Sequence, residues 1–62
     1  MKIKDLIAMI ELDGLQQVRQ NGSHRQFHHP IKSGTVIIAG KPSVDVPPGT
    51  LINILKQAGF KQ

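Results

Sequence analysis

The chain has 62 residues, with eight Lys and Arg against four Asp and Glu, so its formal net charge is +4 at pH 7. It contains no cysteine, Trp or Tyr, which excludes a disulfide framework and a thiolate metal site and leaves an aliphatic core. No apolar run reaches membrane-spanning length, and the start lacks a secretory leader pattern. We therefore expect one soluble, cytoplasmic domain over residues 1–62 whose charge favours phosphate-rich partners.

The first segment, KIKDLIAMIELDG, predicts an amphipathic α-helix. Its apolar residues recur at i, i+3, i+4 and i+7, the spacing of one helical stripe: Ile3, Leu6, Ile7 and Ile10. Gly14 follows the last turn and suits the left-handed position that ends many helices.

The segments LQQVRQ and SHRQFHH predict two strands joined by a hairpin. Asn21-Gly22 is the strongest two-residue hairpin signal, and Pro30 ends the second strand. In this register Arg19 faces His24 across the hairpin. Alternation then sends three side chains to one face, namely His24, Gln26 and His28. It sends three others to the opposite face, namely Arg25, Phe27 and His29.

The rest of the chain predicts a third strand and a second helix. TVIIA is the most β-prone run, residues 40–49 form a Pro- and Gly-rich loop, and Thr50 is the expected cap of the helix TLINILKQAGF, which Gly59 closes. The order is α-β-β-β-α. We expect an α+β fold with one three-stranded antiparallel sheet and both helices on one face. The expected core contains seven residues: Leu6, Ile7, Ile10, Val18, Phe27, Ile54 and Leu55.

All three histidines lie in the segment NGSHRQFHHP, and three interpretations compete. A metal site is disfavoured, because His24 and His28 lie roughly 13 Å apart along a strand, too far for one ion, and no carboxylate is near in the sequence. A surface role without chemistry suits His28 and His29 at the strand end. Acid-base chemistry on a phosphodiester suits His24, with Arg19 beside it as a cation for the developing charge.

The segments VRQNGSHRQFHHP and GTLINILKQAGF together resemble the HicA toxins of bacterial HicA–HicB toxin–antitoxin systems, over nearly the whole chain. Members of that family are similar in fold to double-stranded-RNA-binding domains. The resemblance implies an endoribonuclease that cleaves mRNA, an mRNA interferase, held inactive in an assembly with a HicB-type antitoxin. It also implies that the catalytic residue is the histidine of Gly-Ser-His, here His24.

The expected site therefore has His24 as its catalytic residue, and Gly22 and Ser23 set the turn that exposes it. Four further side chains are candidates for RNA binding or charge stabilisation: Arg19, Arg25, His28 and Lys41. We expect no metal and no other cofactor.

Two positions depart from the family pattern, because Leu15 replaces a frequent aromatic residue and Lys41 stands where many members carry a loop histidine. Two alternatives stay open. The first alternative to a ribonuclease is a non-catalytic RNA-binding module, and the second is a partner-only protein with a basic docking face.

Overall fold

Helix α1 spans Ile3–Leu12 in the computed structural model, which describes residues 1–60. The predicted stripe faces the core, where Ile3, Leu6 and Ile10 are buried and Ile7 is half-buried against them. Burying aliphatic side chains of this size stabilises a fold by about 1.5–3 kcal/mol each. The helix is therefore held mainly by its packing.

A left-handed glycine ends α1, as predicted. Gly14 has a φ of 103°, and its amide donates to the carbonyl of Glu11 at 3.0 Å. The amide of Leu15 donates to the carbonyl of Ile10 at 3.1 Å. These two bonds form a Schellman motif, which satisfies the last carbonyls of the helix and turns the chain toward the sheet.

The sheet has three antiparallel strands in the order of the chain, β1 (Gln16–Asn21), β2 (His24–His28) and β3 (Val36–Ile38). Phe27 pairs with Val36, and both side chains are buried in the same cluster as the apolar stripes of the two helices. Both helices therefore cover one face of the sheet, as predicted. We call the uncovered side the open face.

Helix α2 spans Pro48–Gln57 and begins two residues before the predicted cap. The prediction that Thr50 caps this helix is wrong, because Pro47 occupies the cap position and no side chain caps the first turn. Pro48 occupies the first helical position. Proline suits that position, since its φ is already helical and its missing N–H would have no partner there. Gly59 ends the helix with a φ of 88°, as predicted.

The hairpin turn lies one residue later than predicted. Asn21 pairs with His24, so Gly22 and Ser23 form the two-residue loop, and the predicted pairing of Arg19 with His24 is wrong. Gly22 has a φ of 62°, whereas no residue other than glycine has a positive φ within residues 1–60. Glycine alone at the first loop position is typical of a type II′ turn, while Asn-Gly at the centre of a type I′ turn requires a positive φ at both residues.

The prediction that Val18 is buried is also wrong. The pairing shifts between Gln17, which faces Phe27, and Arg19, which faces Gln26, so Val18 is the extra residue of a β-bulge. The bulge breaks the alternation of side chains, and 53% of Val18 is exposed. Leu15 fills the core instead and is only 4% exposed.

The remaining core predictions are confirmed for Leu6, Ile10, Phe27 and Ile54, which are buried. The other two predicted core residues pack against the cluster while half-buried, namely Ile7 and Leu55.

The loop between β3 and α2 caps the start of α1. The amide of Ile3 donates to the carbonyl of Val44 at 2.9 Å, and the amide of Lys4 donates to the carbonyl of Pro42 at 3.0 Å. The amide of Val46 donates back to the carbonyl of Met1 at 2.8 Å. Backbone carbonyls thus replace the side-chain cap that α1 lacks. Neither helix within residues 1–60 is long and apolar enough to cross a bilayer.

Candidate functional site

A depression of ≈ 220 Å³ opens beside the β1–β2 turn. Six residues line it: Arg19, Asn21, His24, Arg25, Gln26 and Ile37. We call it the hairpin pocket. Most of its lining belongs to the open face, because Asn21 pairs with His24 and Gln26 pairs with both Arg19 and Ile37. Directly paired residues of neighbouring strands share a face.

His24 is the first residue of β2, at the mouth of the turn. Its side chain is exposed, as predicted, and makes no hydrogen bond to residues 1–60. The tight turn at Gly22 and Ser23 directly precedes His24, whose imidazole is exposed to solvent. Both ring nitrogens are therefore available to exchange a proton with a ligand that comes within hydrogen-bond distance.

Arg19 reaches the same pocket although it does not pair with His24. It lies opposite Gln26 because of the bulge at Val18, and it is exposed without a carboxylate partner among residues 1–60. A guanidinium is charged at every physiological pH and presents a planar set of donors. The pocket therefore combines an imidazole with a fixed cation.

Arg25 lines the pocket as well, but its guanidinium has a partner. Nη1 donates to the carbonyl of Gly40 at 3.1 Å and ties β2 to the loop after β3. Lys41, the next residue along, is exposed and does not line the pocket. The Arg25–Gly40 bond thus fixes the loop from which Lys41 projects.

The other two histidines differ from His24 in having partners. Nε2 of His28 lies 3.1 Å from the hydroxyl of Thr35, on the exposed face. The ring of His29 is tied to the backbone by both nitrogens. Nδ1 accepts from the amides of Ile31 (3.0 Å) and Lys32 (3.1 Å), and Nε2 donates to the carbonyl of Asp13 (3.1 Å). His29 is thus a structural residue.

The four carboxylates of the chain lie outside the lining of the hairpin pocket. Asp5 and Glu11 belong to α1, Asp13 follows that helix, and Asp45 lies in the loop before α2. None of these four carboxylates lines the hairpin pocket. The pocket therefore presents arginine without a neutralising acid, which suits an anionic ligand.

No group of three or more metal-ligating side chains occurs within residues 1–60. The described part of the chain thus presents an imidazole and cations at the pocket, and no cluster for a resident ion.

Three pocket residues were not predicted from the sequence: Asn21, Gln26 and Ile37. Asn21 was assigned to the turn, and only the one-residue slip of the hairpin brings it beside His24. Ile37 lies inside the apolar run VII, where alternation alone indicates that its side chain points away from Val36 and Ile38. That alternation was the available signal.

Comparison with known proteins places the chain in a family. A family model described as the HicA toxin of bacterial toxin–antitoxin systems matches residues 3–60, which include both helices, the sheet and every pocket residue. No curated protein matches the chain. Because the match extends over nearly the whole sequence, the chain belongs to the HicA toxin family.

Proposed function

We propose that this toxin is a metal-independent endoribonuclease that cleaves mRNA at the hairpin pocket, with His24 as its acid-base residue. The observation that carries the proposal is the exposed, unbonded imidazole of His24 beside the unpaired guanidinium of Arg19. Membership of the family gives the toxin role and implies an antitoxin partner. The ribonuclease chemistry is inferred from the pocket and from the resemblance of the Gly-Ser-His segment.

The reaction is an attack of the RNA 2′-hydroxyl on the adjacent phosphorus. His24 accepts the proton of that hydroxyl as the new O–P bond forms. The bond between phosphorus and the 5′-oxygen of the next nucleotide breaks, and that oxygen takes a proton from solvent water. The products are a 2′,3′-cyclic phosphate and a 5′-hydroxyl end. Histidine suits this role because its reference pKa, about 6.5, allows it to exchange protons near neutrality.

Arg19 has a separate role in the proposal. Charge accumulates on the non-bridging phosphate oxygens during the attack, and a guanidinium placed beforehand stabilises it. Lys41 remains a candidate for a more distant phosphate contact, from the loop that Arg25 holds in place. His28 is exposed at the far end of β2 and is a candidate RNA contact on the same face.

We further propose that the antitoxin, of the HicB type, is acidic and covers the hairpin pocket. The pocket carries arginine without a neighbouring carboxylate, and the whole chain has a formal net charge of +4. An acidic protein surface and an RNA strand are attracted to the same positive region. Covering it blocks the substrate by competition.

The deciding experiment compares RNA cleavage by the wild-type chain, His24→Ala and His28→Ala in buffer containing a chelator. His28 is a matched control, since it is the same residue type on the same strand and face. We expect a loss of about 10²–10⁴-fold for His24→Ala and a much smaller loss for His28→Ala, because His28 is proposed to contact RNA without taking part in proton transfer. RNA affinity should fall little in either variant, because phosphate contacts to basic residues dominate binding.

The stability of His24→Ala has to be measured in parallel by urea unfolding. Its free energy of unfolding should change by less than about 0.5 kcal/mol, because an exposed side chain without hydrogen bonds leaves no cavity. Cleavage at the parental rate by His24→Ala contradicts the proposal. RNA binding without any cleavage by the wild-type chain favours the non-catalytic RNA-binding alternative.

A further inference from the structure

The hairpin pocket contains more than the imidazole and the cations that the cleavage step uses. Asn21, Gln26 and Ile37 complete its lining. None of these three side chains is ionisable, so none of them can act as an acid, a base or a cation at neutral pH. Their positions beside His24 therefore need a different explanation.

Asn21 has a free carboxamide in a region where neighbouring amides are occupied. Nε2 of Gln17 donates to Oε1 of Gln20 at 3.2 Å, and Nε2 of Gln20 donates to the carbonyl of Gly22 at 3.0 Å. The side chain of Asn21, by contrast, bonds to nothing within residues 1–60. It presents a donor and an acceptor side by side at the pocket, the pattern that pairs with the edge of a nucleobase.

Ile37 supplies an apolar surface in the same pocket. It is 52% exposed, although its neighbours Val36 and Ile38 are buried on the opposite face. A β-branched side chain on a strand is stiff and presents a broad surface. A flat apolar ligand can lie against it.

The open face offers no Phe, Tyr or Trp ring for base stacking. The chain has no Trp or Tyr, Phe27 is fully buried, and Phe60 packs against the core. Bases of single-stranded RNA otherwise stack on aromatic rings or on arginine planes. The guanidinium of Arg25 is bonded to Gly40, and His24 is assigned above to proton transfer. Ile37 and the guanidinium of Arg19 are therefore the pocket groups best suited to cover the face of a base.

The pocket volume limits the ligand. Its ≈ 220 Å³ is below the ~300–1,000 Å³ of clefts that enclose drug-sized molecules. A single ring system fits such a volume, with the attached sugar and phosphate remaining outside.

Taking the ribonuclease function proposed above as the premise, we propose that the hairpin pocket binds one base of single-stranded RNA next to the scissile phosphate. Ile37 supports the face of that base, and the carboxamide of Asn21 reads its edge. Asn21 is then a residue that determines which phosphodiester is cleaved, while His24 and Arg19 act on the phosphate itself.

The first test measures binding without cleavage. Backbone amide shifts of the full chain are followed by NMR during titration with the four nucleoside 5′-monophosphates and with ribose 5-phosphate, which lacks only the base. At least one nucleotide should bind more tightly than ribose 5-phosphate. Ile37→Ala should reduce the ratio of the nucleotide affinity to the ribose 5-phosphate affinity about fivefold, because it removes an apolar contact to the base. Asn21→Ala should make the affinities of the four nucleotides more nearly equal.

Two matched controls lie on β1. Val18→Ala removes an equally exposed apolar side chain that does not line the pocket. Gln16→Ala removes an exposed amide at the far end of β1. Both should titrate as the wild-type chain does. Equal binding of ribose 5-phosphate and every nucleotide by the wild-type chain overturns the inference.

The second test profiles cleavage sites in an RNA pool of randomised sequence. We expect Asn21→Ala to weaken the base preference beside the cut by about 5- to 150-fold, the discrimination of one well-placed bidentate contact. Asn21→Asp keeps the shape but only accepts hydrogen bonds, so its preference should move toward bases that present an amino group. Cleavage by Asn21→Ala with an unchanged preference overturns the inference.

The two proposals fail separately. If the wild-type chain cleaves no RNA but binds nucleotides through Asn21 and Ile37, the ribonuclease proposal is wrong and the proposal of a base-binding site stands. If Ile37→Ala and Asn21→Ala weaken antitoxin binding while nucleotide titrations stay as in the wild type, these residues serve the protein partner and the base site is wrong.

Discussion

Nε2 of His29 donates to the carbonyl of Asp13 at 3.1 Å and so joins the end of β2 to the end of α1. Nζ of Lys32 strengthens the same junction through its bond to Oδ2 of Asp13 at 2.9 Å. The loop between β2 and β3 is thereby held against the helix by one imidazole and one ion pair. This junction lies on the helix side of the sheet, away from the hairpin pocket.

We predict that His29→Ala lowers the free energy of unfolding by about 1–2 kcal/mol. The substitution removes three hydrogen bonds, each with a net worth of ~1 kcal/mol when fully formed, and the site is partly exposed. Urea unfolding of purified protein measures the change. His28→Ala is the control and should shift the midpoint only slightly. Equal effects of the two substitutions are incompatible with a structural role specific to His29.

Gly14→Ala should destabilise the fold by about 1–3 kcal/mol. The backbone there has a φ of 103°, which is strained for any residue with a Cβ. The added Cβ lies 2.9 Å from Nε2 of His29 and displaces the ring. Thermal unfolding monitors the change. Gly49→Ala is the control, with an expected change of opposite sign. It adds a methyl group in open space within α2 and should raise the free energy of unfolding slightly. A neutral Gly14→Ala contradicts the strained geometry.

Arg19→Gln should weaken RNA binding. It should also reduce the steepness of the plot of log binding constant against log salt concentration by about one unit, the effect of one lost phosphate contact. Affinity is measured by fluorescence anisotropy at several salt concentrations. Lys4→Gln makes the same change in net charge on α1, away from the pocket. If both substitutions reduce the slope equally, Arg19 contributes through the general field of the chain and not through a contact.

Cleavage should continue in the presence of a chelator. The described residues 1–60 contain no cluster of ligands for an ion, and the proposed proton transfer uses an imidazole. The measurement compares rates with and without EDTA on the same RNA. Activity that disappears in EDTA and returns with one divalent ion rejects the metal-independent mechanism.

Antitoxin binding should protect the β1–β2 hairpin from hydrogen exchange. Amides around Gly22 and Ser23 are expected to slow in the complex, because the partner covers the turn beside the pocket. The outward face of α2 should exchange as in the free chain. Protection confined to the helices, together with full inhibition, excludes direct blocking of the pocket.

Much of the fold was predictable because local signals agree with the packing. The apolar stripe of α1 and the glycines at positions 14 and 59 lie where their spacing and conformational freedom require. The β-prone run around Ile37 formed the third strand for the same reason. Such signals depend on neighbours a few residues apart, which a sequence displays directly.

The details of the site depend on longer-range relations. The bulge at Val18 arises from how β1 meets β2, and it cannot be read from alternation within β1 alone. The one-residue slip of the hairpin exchanges Arg19 for Asn21 as the partner of His24. The bond from Arg25 to Gly40 joins positions 15 residues apart. For these reasons the sequence predicted the exposure of His24 more accurately than the identity of its neighbours.

The backbone bonds between the start of α1 and the loop before α2 have a consequence for synthesis of the toxin. Ile3 and Lys4 find their acceptors at Val44 and Pro42, so α1 gains its cap only after these late residues have been made. Contacts of such long sequence separation form late in folding, because the loop between them must first be closed. The hairpin that carries His24, by contrast, is built from local contacts. We therefore expect the β1–β2 hairpin to form before the rest of the domain has folded. During that interval the hairpin is exposed, and a partner synthesised at the same time can bind it.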